Sequence, residues 1–311
     1  GAYSPNPQME EVMDGVKVYK ENGCDGIISI GGGSAMDTAK NIKVLADASL
    51  EEIEAFKAGI LPERATVVHV AIPTTAGTGA EATRFSVVYD GGEKKSIMQD
   101  YMLPDAVLLL PETILPLSDY QKKCTAMDSL CQCIESIWSV NKGRLNAKYA
   151  VKGIQLILAN LDAYLAGDLT ATANMQKAAN LSGKAINLSL TTAAHAMSYK
   201  LTSLFGLPHG AAVALSLREV WSYMADFEEE KEALKKDFTL INEAFGCEST
   251  RESIEKFSVL VDRLTLKEKP LMADEEKINL LASSVNVARL KNNPVALDQN
   301  TLISLYRNIF A

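Results

Sequence analysis

Only three histidines occur in the 311 residues, and two of them, His195 and His209, fall within one stretch, TTAAHAMSYKLTSLFGLPHGAAVALSL, from Thr191 to Leu217. Gly206, Leu207 and Pro208 lie between them and break helices, so one helix is expected to end and another to begin there. Two helix ends can then meet at one point. Neutral imidazoles suit a divalent ion such as Zn(II) or Fe(II), provided a carboxylate arrives from elsewhere in the fold. Asp128, in Met127-Asp128-Ser129-Leu130-Cys131-Gln132, is the candidate, because an unpaired carboxylate on this otherwise apolar helix would be costly. A cation held by Asp128, His195 and His209 keeps a further coordination position open, which is the pattern of a catalytic site. Taken singly, each residue has a plainer reading: a hydrogen-bonded histidine, or an aspartate that caps a helix or pairs with a lysine.

A second chemistry is written near the start, in GCDGIISIGGGSAMDTAK. Gly26 to Ile30 reads as a short strand and Gly31, Gly32 and Gly33 as a turn. Ser34 is then expected to cap a helix through Met36, Ala39, Ile42 and Leu45. Strand, glycine loop and helix N-terminus converge on an anion cradle of backbone N–H groups, although neither GxGxxG nor the Walker A pattern is present. Thr66 to Ile72 reads as a buried strand ending at Pro73. The loop after it, TTAGTGAEAT, offers the hydroxyls of Thr74, Thr75 and Thr78 where a ligand could approach the backbone. His69, inside that strand, is expected to be buried and hydrogen-bonded.

These residues need a frame. An amphipathic helix to about Asn22, a helical segment from Leu50 to Ala58, a hairpin of Phe85 to Tyr89 with Lys94 to Ile97 around Asp90-Gly91-Gly92, and a strand from Ala106 to Leu110 complete the first third. Helices alone are expected afterwards, at about 118–138, 144–165, 170–187, 191–204, 209–225, 229–245, 249–264, 274–287 and 300–310. The pattern predicts an α/β nucleotide-binding domain over residues 1–115 and an all-helical metal and substrate domain over 116–311, with a ligand site in the cleft between them.

Composition narrows the partners. A net charge of −8 excludes a general nucleic-acid binder, which needs a basic surface against phosphates. No stretch approaches the roughly 20 apolar residues of a membrane span, and the cytoplasm is the expected location. Five cysteines without paired CxxC spacing suggest neither a disulfide framework nor a zinc knuckle. Cys131 and Cys133, two apart on a helix, are expected to be small buried positions rather than a redox pair. The run Glu228 to Lys236 reads as a solvated helix face.

The motifs GGGSAMDTAK, IPTTAGTGAEAT, MDSLCQCIES, TTAAHAMSY, GLPHG and NNPVALDQNTLISLY, in this order, resemble the iron-containing, or group III, alcohol dehydrogenases. The resemblance implies a Rossmann-like dinucleotide domain followed by a helical metal domain, the architecture shared with dehydroquinate synthase. It also implies NAD(H)- or NADP(H)-linked interconversion of an alcohol and an aldehyde or ketone, in a homodimer or larger homo-oligomer. By position, Gly32, Gly33 and Ser34 would hold the pyrophosphate and Asp37 would lie by the nicotinamide. Thr74, Thr75 and Thr78 would line the cofactor cleft, and Lys94 would stand near the cofactor. Asp128, His195 and His209 match metal ligands.

Three departures from the family pattern matter. Gln132 stands where the commonest branch has a fourth, histidine ligand, so Gln132 ligates through its carbonyl oxygen, or three ligands suffice, or the site is empty. Gln132 with IESIWSVN resembles a phosphonoacetaldehyde reductase branch, although Lys200 and Ala211 fit it less well. A phosphonate would need a fixed cation, for which Arg84 is the candidate, with a surface ion pair as its alternative. Finally, the pattern opens with roughly 60 further residues that supply the first strands of the dinucleotide fold, and GAYSPNPQ matches the segment after them. A dehydroquinate-synthase-like lyase would carry a glutamate as first ligand and more basic residues around the substrate. A degenerate, non-catalytic relative serving as a binding or assembly subunit is the rival outside enzymology.

Overall fold

In the computed structural model, which describes residue 4, residues 7–266 and residues 271–311, all strands precede residue 108 and long helices fill the chain from residue 119 onward. Helix α1 (Met9–Glu21) is started by a reciprocal cap between Gln8 and Glu11. Strand β1 (Gly26–Gly31) leads into α2 (Gly33–Leu45), and α3 (Leu50–Lys57) is capped by Ser49 with Glu52. Strand β2 (Val68–Pro73) follows, and β3 (Phe85–Asp90) pairs antiparallel with β4 (Glu93–Met98) around Gly91 and Gly92, both at positive φ. This is the expected hairpin, with glycine supplying the backbone twist.

Two expectations about this region are corrected. The cap of α2 is Gly32, not Ser34, which lies in the first helical turn. The strand expected from Ala106 to Leu110 is only β5 (Ala106–Val107). Its continuation turns off after Leu108 donates to the Ala71 carbonyl, and the Leu110 carbonyl accepts instead from Gln176. The parallel sheet therefore runs β1-β2-β5, with Gly26 opposite Val68 and Val70 opposite Ala106. Strand β1 is at its edge, with Ile28 67% and Ile30 60% exposed. His69 is fully buried, and its Nε2 lies 2.7 Å from Ser29 Oγ, as expected of a structural histidine.

The helical region comprises α4 (Asp119–Trp138), α5 (Arg144–Leu165), α6 (Leu169–Ser189), α7 (Ala193–Phe205), α8 (His209–Ala225), α9 (Glu232–Phe245), α10 (Thr250–Leu264), α11 (Glu275–Ser283), α12 (Val287–Leu290) and α13 (Gln299–Phe310). Ser118, Asp168, Ser249, Asp274 and Asp298 cap α4, α6, α10, α11 and α13, each accepting a backbone N–H of the first turn. The helix expected over 274–287 splits, because the Asn286 side chain accepts from Ala288 N and starts the short α12. That over 229–245 begins at Glu232, since tight turns occupy the residues after Phe227.

Trp138, Trp221, Phe238, Phe257 and Tyr306 anchor one large core, with Trp138 and Trp221 edge to face at 5.9 Å. Cys131 and Cys133 are fully buried in it as small apolar positions. The α/β region has a smaller core of Met9, Val12, Val16, Val44, Leu45, Phe56 and Val88. Contact between the regions runs through the loop after β2: Gly79, at φ 58°, lies backbone to backbone against Gly183 of α6. Gln176 donates to the Pro73 carbonyl, and Asn180 to Glu81. No helix among the described residues is long and apolar enough to cross a membrane.

Candidate metal centre

Gly206 closes α7 in the left-handed conformation (φ 68°), Pro208 stands at the cap of α8, and His209 is that helix's first residue. The Gly-Leu-Pro break thus does what its chemistry dictates, and the ring centroids of His195 and His209 come to 5.4 Å. Asp128 reaches them from α4, its Oδ1 3.4 Å from His195 Nε2 and 3.9 Å from His209 Nε2. One donor atom from each of the three lies within 4.8 Å of the others. This approach depends on Gly210. A Cβ there would collide with the Cys124 carbonyl, so only glycine lets the start of α8 rest on α4 beside Asp128.

The donor set fits a cation. Asp128 Oδ1 and His195 Nε2 are both buried without a hydrogen-bond partner, and both belong to the cluster. Buried orphans of this kind are rare unless an ion or water completes them. Burial alone would raise the Asp128 pKa, but His195 and His209 beside it hold it below the ordinary carboxylate value. Burial lowers His195, yet Glu135 and Asp128 outweigh it and bring that imidazole up to about 9. His209 is pushed down to about 4, by burial first, with His195 and Lys94 adding to it against Asp128.

Glu135 was not singled out in the sequence. Its Oε1 accepts from the backbone N–H groups of Thr192 (3.0 Å), Ala194 (3.1 Å) and His195 (3.3 Å) and from the Thr192 hydroxyl (2.7 Å). Glu135 therefore caps α7 from another helix, and its charge faces the positive end of the helix dipole. Its Oε2 meets His195 Nδ1, which fixes the ring and leaves Nε2 toward Asp128. The signal was available: Asp128, Gln132 and Glu135 recur four and then three residues apart, one stripe of a helix. Tyr199, four residues beyond His195, was missed in the same way. Its ring stacks on His209 at 5.8 Å and 5°.

Of the alternatives for Gln132, the hydrogen bonds of its amide favour a site with three protein ligands. The amide oxygen accepts from Ser182 Oγ at 2.8 Å, and its nitrogen donates to the Thr78 carbonyl at 3.3 Å. A hydrogen bond from the same side chain also helps hold Asp128 ionised. The amide thus ties α4 to α6 and to the threonine loop. Arg84 takes its alternative reading, a surface ion pair, with its guanidinium 2.6 Å from Asp100.

The residues expected on the cofactor side do come together. Thr74 N donates to the Gly31 carbonyl, and Cβ atoms on Gly32 and Gly33 would lie 3.2 Å from the methyls of Thr75 and Thr78. Ser34 is in the first turn of α2, and Asp37 accepts from Val87 N at 3.0 Å. Burial raises the Asp37 pKa to about 6, against the opposing pull of Lys40, Val87 N and Lys94. The Lys94 ammonium lies 4.1 Å from the Tyr199 ring centroid. A cavity of about 390 Å³ opens beside His195, lined also by Gln132, Tyr199, Arg289 and residues of the β3-β4 hairpin.

A three-stranded parallel sheet with a glycine-loop helix, packed on a helical region with an Asp-His-His cluster, defines a nucleotide-and-metal enzyme architecture. The NAD+ complex of sulfoacetaldehyde reductase from Bifidobacterium kashiwanohense superposes with a TM-score of 0.90 at 28% identity, covering 99% of this chain and 82% of that one. The model for iron-containing alcohol dehydrogenases matches residues 1–111, and that for the C-terminal part of the Fe-containing alcohol dehydrogenase family matches residues 123–310. The chain belongs to the iron-containing alcohol dehydrogenase family. Alcohol dehydrogenase 4 of Saccharomyces cerevisiae is 31% identical over 98% of this chain and 81% of its own length. Phosphonoacetaldehyde reductase of Streptomyces viridochromogenes is 35% identical over 64% of this chain, a match that spans only 53% of that enzyme.

Proposed function

We propose that this protein is a metal-dependent, NAD(P)-linked reductase of a small aldehyde, working in the reverse direction as an alcohol dehydrogenase. The observation that carries the reading is the pair of orphaned, buried donor atoms, Asp128 Oδ1 and His195 Nε2, converging with His209 beside the cavity. Asp128, His195 and His209 would hold Fe(II) or Zn(II), which supplies Lewis-acid polarisation of a carbonyl, while a reduced nicotinamide supplies the hydride. Residues 1–115 would carry the cofactor, with Gly32, Gly33 and Ser34 at the pyrophosphate and Thr74, Thr75 and Thr78 along the cleft. Residues 116–311 would carry the metal and the substrate.

The chain's own groups then have defined tasks. Glu135 keeps His195 in the tautomer that presents Nε2. Gln132 adds to the effects that keep Asp128 ionised. Asp37 and Lys94 carry opposite charges close to each other, each damping the other's shift. NADP(H) in place of NAD(H), a homodimer or larger homo-oligomer, and a cytoplasmic location belong to the same proposal. The location is supported by five free cysteines among the described residues.

The test is NADH- or NADPH-dependent reduction of a panel of aldehydes, phosphonoacetaldehyde included, with ferrous iron or zinc. His209→Ala is expected to abolish turnover while the unfolding midpoint stays near that of the parent. Unchanged activity in a metal-checked sample would overturn the assignment. The second reading, a non-catalytic binding or assembly subunit, is favoured by Gln132 at the fourth-ligand position, and a protein that binds neither metal nor nicotinamide establishes it.

A further inference from the structure

We infer that Arg289 forms an anion-binding subsite at one end of the candidate active-site cavity, and that it selects short aldehydes carrying a compact anionic head such as a phosphonate, sulfonate or carboxylate. The inference rests on the reductase reading and names the substrate class for that same cavity.

Charge pairing makes Arg289 unusual. Among the described residues, Arg84, Arg218, Arg263 and Arg307 each pair with a carboxylate, and Arg64, Arg144 and Arg251 are exposed to water. Arg289 is half-buried, lines the cavity and has no carboxylate partner. Its guanidinium lies 5.4 Å from the centroid of Tyr199, the ring that Lys94 approaches to 4.1 Å. Two cations on one ring repel each other; Asp37 faces Lys94, and no acidic group is paired with the guanidinium. In a protein of net charge −8, with acids to spare, a guanidinium beside a cavity without an acidic partner among the described residues is a site awaiting an anion.

The backbone holds that charge in place. Asn286 caps the short α12, and the turn after it is clamped at Asn292 by three bonds. Val140 N donates to the Asn292 carbonyl, Asn141 Nδ2 to its Oδ1, and its own Nδ2 to the Thr191 carbonyl. Asn292 thereby fixes Arg289 against the entry to α7, one residue pair before the helix that carries His195. Because Tyr199 stacks on His209 and also faces Arg289, one ring spans the distance from the metal cluster to the guanidinium. A substrate bridging the two ends is short, with its carbonyl at the cluster and its anion at Arg289. A guanidinium fork matches a tetrahedral or planar oxyanion in a way that a neutral head cannot. The reaction itself is unchanged: hydride from the reduced nicotinamide forms the C–H bond at the carbonyl carbon, the oxygen takes a proton from water, and alcohol and oxidised nicotinamide leave.

The test compares phosphonoacetaldehyde with propanal in the parent and in Arg289→Gln and Arg289→Lys. The expected result is a fall of roughly 10- to 100-fold in the preference for the anionic aldehyde in Arg289→Gln, read as the ratio of kcat/KM values and entering through KM. Arg289→Lys recovers part of it. Equal losses on both aldehydes, or a parent with no preference, overturn the inference, as does a change confined to the KM for NADH, which would assign the guanidinium to a cofactor phosphate. Calorimetric titration with methylphosphonate gives a readout without turnover, and binding that survives Arg289→Gln undiminished also overturns it. Should neither aldehyde be reduced while methylphosphonate binding still depends on Arg289, the reductase reading falls and the anion subsite stands.

Discussion

In the helical region the chemical groups are placed by side-chain packing from several helices at once, whereas in the α/β region the ligand-facing groups are mostly backbone, placed by loops. Asp128 on α4, His195 on α7 and His209 on α8 meet because Glu135 caps one helix from another and Gly210 removes the side chain that would hold two apart. Each of the two histidines has a second residue against it, Glu135 at His195 and Tyr199 at His209. On the cofactor side, a Cβ on Gly32 or Gly33 would meet a threonine methyl at 3.2 Å, a tight contact but with the end of a side chain rather than with backbone, and the sheet ends at an exposed β1. The lesson is that the metal side tolerates little change in volume, while the cofactor side tolerates change in volume and is sensitive instead to what blocks the backbone.

Glycine substitution should break this comparison most visibly. Gly210→Ala is expected to cost about 3 kcal/mol or more in urea unfolding, because the new Cβ meets the immovable Cys124 carbonyl. Gly32→Ala, whose Cβ would sit 3.2 Å from a threonine methyl, is expected to cost about 1 kcal/mol or less and to show instead as weaker NADH binding. Comparable stability losses at both sites would mean that the two regions are packed alike.

Glu135→Gln sharpens the comparison on the metal side. Removing the carboxylate leaves His195 without its orienting partner, and zinc affinity measured by competition with a chromophoric chelator should fall about 10- to 100-fold. An unchanged affinity would reduce Glu135 to a helix cap.

The smallest effect concerns His69 in the α/β region, whose pKa is depressed to about 4, chiefly by burial with Lys40 and Lys43 adding to it. The folded state resists its protonation, so the stabilising difference is full above an unfolded pKa near 6.5 and is lost as pH falls through about 4. At pH 5.5 this amounts to about 1 kcal/mol relative to neutral pH. His69→Gln should remove that part of the acid slope, seen as a flatter unfolding free energy between pH 7 and pH 5 than in the parent. An identical slope would show that His69 titrates normally.

Helix boundaries were legible where a cap residue announced them: Ser118, Asp168, Ser249 and Asp298 mark starts within a residue or two of the expected ones. The Gly206-Leu207-Pro208 break, the hairpin at Gly91-Gly92 and the Asp-His-His donor types were legible for the same local reasons. The Ala106 strand misled because its end is set by a distant partner, Gln176, and the 274–287 helix because the Asn286 side chain accepts from Ala288 N and starts a new helix. Arg84 and Arg289 look alike in sequence. Only the position of Asp100 beside one, and the absence of an acid beside the other among the described residues, separates a surface ion pair from a free guanidinium at the cavity.

The sequence by itself determined which atoms could bind a cation, where the glycine and threonine loops would lie, and where most helices would begin, because those properties reside in single residues and their near neighbours. The tertiary structure alone decided that Glu135 orients His195, that the amide of Gln132 turns to Ser182 and Thr78, and that Arg289 rather than Arg84 faces the cavity. Those outcomes depend on which helices touch and how closely, and close approach is a property of shape and volume summed over the whole core, which no local pattern of residues encodes.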